Sequence, residues 1–282
     1  MTTDLWVILA WSGGLWAIHR GLEREDVTPW FWLGVCVGLG AMAKLSIGLL
    51  GLFLVPALLF SAVGRRRLLS PGPWLAGLTA LLIMSPMILW NAQNDWVMVR
   101  HEQGHVRGGG TPGNFPQWFL GQWLFFSPPL VLLLLLGLKW PREEGRRAVW
   151  WISVLALGFF VLKSLVGKVQ PNWTAPVYAG PLLLAAPMLA RERLWTRLTA
   201  LVGVLTTVAL LAGTLHAQWL GVEAHRHPFK KQHGWKTAVA ELAARAPDTD
   251  FLLSTHLKSP LNWPITGPLP SFPTSPARPP GA

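Results

Sequence analysis

Trp30 to Val63 reads WFWLGVCVGLGAMAKLSIGLLGLFLVPALLFSAV, an apolar run interrupted by a single charge, Lys44. As one unbroken helix it would reach about 50 Å at 1.5 Å per residue, whereas a bilayer's hydrocarbon core is only about 30 Å thick. A break is therefore expected, and Lys44, followed by Ser46 and Gly48, is the best place for it. The run then becomes two spans, Trp30–Lys44 and Leu45–Val63.

Six more apolar segments extend outward from this pair: Leu5–Ile18, Trp74–Trp90, Trp118–Leu138, Val149–Leu162, Ala175–Leu189 and Leu198–His216. The expected fold class is an all-α polytopic membrane protein with about eight transmembrane helices. Composition agrees, since 51% of residues are hydrophobic and only 13% charged. Eighteen tryptophans stand against one tyrosine. Trp30, Trp32, Trp74, Trp90, Trp118, Trp140, Trp150 and Trp151 close apolar runs, where an amphipathic ring suits the headgroup region. The net charge of +11 is spread between the spans rather than gathered in a stripe, which argues against a nucleic-acid partner. A lone cysteine, Cys36, excludes an internal disulfide.

The connecting segments alternate in character. GLEREDVTP, GRRRLLSPGP, KWPREEGRR and RERLWTR hold most of the arginines and share one side. The neighbourhoods of Lys44, of 91–117 and of 163–174 share the other. The positive-inside rule makes the arginine side cytoplasmic, with Arg65, Arg66 and Arg67 as its clearest mark. The chain is then a multi-pass protein of a bacterial inner membrane with both termini exported. Residues 1–216 form the transmembrane domain. Residues 217–258 read as a partial exported α/β segment, with an amphipathic helix over Trp235–Ala246 and a short strand at Phe251–Ser254. Residues 259–282, rich in Pro, Ser and Gly, read as a disordered tail. Met1 leads straight into an apolar run with no basic segment before it, so an internal start within a longer protein is expected. Unaided insertion with the N-terminus outward is the alternative.

Polar groups collect on the exported side. Asp4 opens the first span, Lys44 marks the break, and Asn91 and Asp95 close the fourth span ahead of Arg100, His101 and Glu102; Lys168 and Asn172 lie between the sixth and seventh. Such groups cost free energy near hydrocarbon unless paired or solvated, so their gathering at a membrane boundary points to a site. Lysine and arginine there suit a phosphate, and neighbouring carboxylates suit a general base. Each has a plainer role: Asp4 as a helix cap, Lys44 snorkelling, Arg100 pairing with Glu102 in solvent. His101, Glu102 and His105 spell H-E-x-x-H, a zinc-protease pattern. Gly104 and the GGGTPG that follows argue against the rigid helix this pattern needs, and no third ligand is evident, so no metal site is expected. These residues specify no particular cofactor, and a divalent cation is left open.

The stretches GLGAMAKLSIGLLGLFLVPALLF, SPMILWNAQNDWVMVRHEQGH, GKVQPNWTAPVY and HPFKKQHGW resemble bacterial membrane glycosyltransferases of family 39. These are related to protein O-mannosyltransferases and to the aminoarabinose transferase that acts on lipid A in lipopolysaccharide biosynthesis. The resemblance implies a GT-C architecture, a polyprenyl-phosphate sugar donor, a lipid or protein acceptor, and inversion at the anomeric carbon. It implies that Asp4 belongs to the family's second acidic motif, at the exported end of a helix, and that Lys44 stands at a recurrent lysine position. It also places WNAQNDW and KVQPNW, with Asn91, Asn172 and Trp173, along the substrate cavity. The family's principal catalytic carboxylate, in a first exported loop, has no counterpart here, and the family pattern is lost after Thr255. Under the resemblance Asp4 and Asp95 are the catalytic candidates, and Lys44, Asn91, Arg100, Glu102, Lys168, Asn172 and Trp173 the substrate-binding ones. The alternatives are a catalytically inactive membrane protein that binds lipid phosphate, or a small-molecule transporter.

Overall fold

The computed structural model describes residues 3–107, 113–126, 141, 143–191 and 193–215, together with 240 and 244. Ten α-helices carry these residues, and among them no strand occurs. They are α1 (Asp4–Glu23), α2 (Thr28–Ala43), α3 (Gly48–Leu59), α4 (Ala62–Leu68), α5 (Pro71–Gln93), α6 (Val97–Arg107), α7 (Phe115–Phe126), α8 (Glu144–Val166), α9 (Ala179–Arg191) and α10 (Arg193–Leu215). Two 3-10 segments, Leu45–Ile47 and Pro171–Tyr178, precede α3 and α9. The chain divides into two compact units, residues 1–206 and 207–282.

The long apolar run breaks at Lys44. Its backbone is extended (φ −165°, ψ 127°), α2 ends one residue before it, and the 3-10 segment begins one residue after. The expected fold class, an all-α membrane protein, agrees with the all-helical structure, and the count of eight spans is not reached among the described residues. Among the described residues three helices are long and apolar enough to cross a membrane: Pro71–Gln93, Glu144–Val166 and Arg193–Gly213. Thr28–Ala43 and Leu45–Leu59 are apolar but shorter. The span expected over Trp118–Leu138 is described only as far as Phe126, within α7. The span expected from Ala175 starts later, at Ala179, because the preceding residues, which include Pro176, take the 3-10 form. The helix expected over Trp235–Ala246, apart from 240 and 244, and the strand at Phe251–Ser254 lie outside the described residues.

Glycine contacts show how α1, α2, α5 and α8 run relative to one another. Gly21, Gly14 and Gly13 of α1 face Trp30, Leu33 and Cys36 of α2, and Ala10 faces Gly40, so the two helices are antiparallel. Gly34 and Gly38 of α2 lie against Ala76 and Ile83 of α5, with numbers rising together, so α2 and α5 run parallel. A Cβ on Gly34 would come within 2.5 Å of the Ala76 carbonyl oxygen. That glycine pair, four apart, is the small-residue seam by which helices approach closely in membranes. Gly145, in the first turn of α8, abuts His19 near the end of α1, so α8 is antiparallel to α1. Asp4, Lys44, the end of α5 and the end of α8 therefore lie at one end of the bundle, and Arg65–Arg67 at the other.

The core lies where α1, α2, α3 and α8 meet, around Trp11, Leu15, Ile18, Leu33, Ile47, Leu50 and Ile152. Two tryptophans expected in the headgroup belt belong to the interior instead. Trp30 is only 1% exposed, its ring seated between Gly21 and Gly72, and Trp118 is also buried. Trp74 and Trp90 do face outward.

Candidate functional site

Three chain-distant side chains meet at the first residue of α1. Lys44 Nζ donates to Asp4 Oδ1 at 2.9 Å, and Asn172 Nδ2 donates to Asp4 Oδ2 at 2.9 Å. Lys44 reaches this point because the helix break leaves it in extended backbone with α2 behind it. Both partners of the ion pair are shielded yet accessible, with side chains 30% (Lys44) and 20% (Asp4) exposed. Asp4 stands just ahead of the apolar run. Burial works against its ionisation, but the hydrogen bonds from Lys44 and Asn172, with the Lys44 charge, outweigh it and hold the carboxyl below its ordinary value. Lys44 spends one of its three N–H donors on Asp4, leaving capacity for an anion.

Asn172 is aimed by a clamp that the sequence did not reveal. Asn114, just before α7, grips the backbone of Val169 at both ends: its Nδ2 donates to Val169 O at 2.9 Å and its Oδ1 accepts from Val169 N–H at 2.8 Å. Trp118 Nε1 donates to Thr174 Oγ1 at 2.9 Å, and the Tyr178 hydroxyl donates to Gln122 Oε1 at 2.9 Å. Gln122 Nε2 donates in turn to Trp118 O at 3.0 Å. Buried polar groups need partners of this kind, and a satisfied network holds one backbone conformation. Burial pushes the Tyr178 phenol above its usual range, keeping it a hydroxyl donor. The segment 169–178 is thus pinned on both sides of Asn172, with Trp173 packed against the core.

The remaining candidates sit at the same end without joining this cluster. Asn91 is buried and its side chain is engaged in structure: Nδ2 donates to Met87 O, and Oδ1 accepts from Met98 N–H. Its carbonyl accepts from Trp96 N–H at 2.8 Å, closing the turn between α5 and α6. Asp95 and Trp96 in that turn have φ of 54° and 56°, the left-handed region that a bulky residue rarely occupies. Asp95, Arg100, Glu102 and Lys168 are exposed, and no hydrogen bond or ion pair ties them to Asp4 among the described residues. α6 is helical through Gly104, contrary to the expectation of a broken helix there. Arg100 and Glu102, two apart on that helix, point to different faces, which removes the reading that they pair. Among the described residues no group of three or more His, Cys, Asp or Glu is placed to hold a metal ion.

Residues 1–90 fit the model of the dolichyl-phosphate-mannose-protein mannosyltransferase family, a stretch that runs from the start of the chain to near the end of α5 and contains Asp4 and Lys44. The match supports a glycosyltransferase-like membrane protein of the GT-C type. No curated protein and no solved structure matches the chain.

Proposed function

We propose that this GT-C-type membrane protein transfers a sugar from a polyprenyl-phosphate donor to a lipid or protein acceptor, at the bundle end that carries Asp4 and Lys44. The observation that carries the reading is the meeting of Asp4, Lys44 and Asn172 from three separated parts of the chain. An acceptor O–H or N–H attacks the anomeric carbon, the bond from that carbon to the phosphate oxygen breaks, and polyprenyl phosphate leaves. Lys44 lies ready to neutralise the charge that develops on the leaving phosphate. Asp4, held below the usual carboxylate range, is a poor proton acceptor at neutral pH; its role is to hold the Lys44 ammonium in place. Asp95, exposed on the strained turn, takes the acceptor's proton, and Arg100 and Lys168 add positive charge at the same end. The positive-inside rule makes this end the exported one.

A second reading follows from the same cluster. With both Asp4 oxygens engaged, the site could bind lipid phosphate without transferring a sugar. Purified chain reconstituted in liposomes with a radiolabelled polyprenyl-phosphate hexose separates the two. Glycosyl transfer predicts donor binding and release of polyprenyl phosphate. Lys44→Met should then weaken donor binding about tenfold or more, equivalent to about 1.4 kcal/mol, and Asp95→Asn should cut turnover while donor binding persists. Binding without release in the unaltered chain favours the second reading. Donor binding unaffected by Lys44→Met refutes both.

A further inference from the structure

We propose a second site at the opposite end of the bundle: a seat for one anionic phospholipid, its acyl chain in the groove between α2, α3 and α5 and its phosphate against Arg65. The groove encloses about 310 Å³ and is lined by Leu33, Val37, Leu54, Leu58, Leu68 and Ala80. Gly51 and Gly77 also line it, and an added Cβ at either would meet no atom within 4 Å. Its rim carries Val55 and Trp74, which are 49% and 71% exposed, so the groove opens sideways, where lipid chains lie. Leu33 and Gly34 of α2 and all the lining residues of α5, from Pro73 to Ala80, lie in the halves of those helices nearer Arg65–Arg67 and away from Asp4; α3 and Leu68 of α4 complete the wall.

Charge at the head of the groove selects the occupant. Leu68 lines the groove at the end of α4, and Arg65 stands three residues earlier on the same side of that helix. Arg65 Nη1 donates to Leu59 O at 2.8 Å, which fixes the guanidinium over the end of α3, next to the lining residue Leu58. A guanidinium has five N–H donors, so the rest remain for a phosphate in the paired geometry that arginine favours. Arg66 is exposed beside it, and no carboxylate occurs anywhere from Ser61 to Trp90. Asp26, in the neighbouring turn, is committed to the start of α2 through Thr28 N–H at 3.0 Å. Trp74 Nε1 donates to Leu68 O at 3.0 Å, holding at the rim of the groove an amphipathic indole, a ring suited to the headgroup region. An apolar slot ending in a fixed guanidinium fits a phospholipid carrying net negative charge better than a zwitterionic one. This site does not depend on the glycosyl-transfer reading.

The test uses the full chain in liposomes of phosphatidylcholine containing spin-labelled phosphatidylglycerol or spin-labelled phosphatidylcholine. Electron paramagnetic resonance then gives the motionally restricted fraction of each label. The expected result is at least threefold preference for phosphatidylglycerol. Arg65→Gln should bring that preference close to one. Gly51→Leu and Gly77→Leu, which fill open space, should lower the restricted fraction of phosphatidylglycerol to the level of general boundary lipid, with an unchanged circular dichroism spectrum as the check on folding. Equal restriction of both lipids overturns the proposal, as does a preference that survives Arg65→Gln or either filled groove.

Discussion

Lys44→Met tests the geometry around Asp4 independently of any activity. The substitution keeps an unbranched apolar stem of nearly the same length and removes the ammonium that donates to Asp4 Oδ1 at 2.9 Å. Hydrogen bonds to charged groups contribute about 1.5–3 kcal/mol net, and exposed ion pairs only about 0.2–1 kcal/mol. With side chains 30% and 20% exposed, the pair lies between these limits, so a loss of about 1.5 kcal/mol is expected. Asp4→Asn should cost a similar amount, because it leaves the ammonium facing a neutral amide. The two changes remove the same interaction, so the double variant should fall short of the sum by about 1 kcal/mol. Cys36, the single cysteine, is half-buried in α2 and supplies the assay, since a thiol-reactive dye reports its exposure as the protein is heated in detergent. For a chain of this size each kcal/mol corresponds to about 2–4 °C in Tm, so each single variant should melt about 3–6 °C lower. Melting shifts that simply add would refute the contact between Asp4 and Lys44.

Three further outcomes follow. Asp4 binds its proton less readily folded than unfolded, so its contribution is present at neutral pH and is lost as pH falls through the ordinary aspartate range and below; the fall in Tm over that range should be steeper in the unaltered chain than in Asp4→Asn. Gly34→Val puts a branched side chain where even a Cβ would come within 2.5 Å of the Ala76 carbonyl oxygen; a loss of about 3 kcal/mol or more, or failure to accumulate in membranes, is expected, as overpacking against backbone has no easy relief. Asn114→Ala leaves the Val169 N–H and carbonyl without their partners, a cost of about 1–3 kcal/mol each way, and hydrogen exchange across 168–174 should rise while exchange in α2 does not.

The bilayer did much of the work of making this chain readable. A run as long as Trp30–Val63 cannot stay one helix, so the break at Lys44 was legible from length alone, and the alternation of arginine-rich segments brought Asp4, Lys44 and Asn172 to one end. What the sequence hid depends on side-chain partners rather than on hydropathy. Asn114 and Gln122 are lone amides near an apolar helix and carry no pattern that marks them as a clamp on residues 169–178. Trp30 and Trp118 were misread because a tryptophan at the end of an apolar run suits the headgroup belt and the interior equally well. Only the facing glycines, Gly21 and Gly72, show that Trp30 has a slot to occupy. Helicity through Gly104 was misjudged because one glycine costs a helix only about 1 kcal/mol, which its neighbours in α6 can outweigh.

The bond from Asn172 to Asp4 spans 168 residues of chain, and this separation has a consequence for biogenesis. At about 5–20 residues per second, the ribosome delivers the asparagine roughly ten to thirty seconds after the aspartate. Through that interval the carboxylate waits at the water boundary with Lys44 as its earlier companion, 40 residues away. The polar centre is therefore completed well after α1 and α2 are made, and a nascent chain arrested before residue 172 would carry Asp4 and Lys44 with that centre still incomplete.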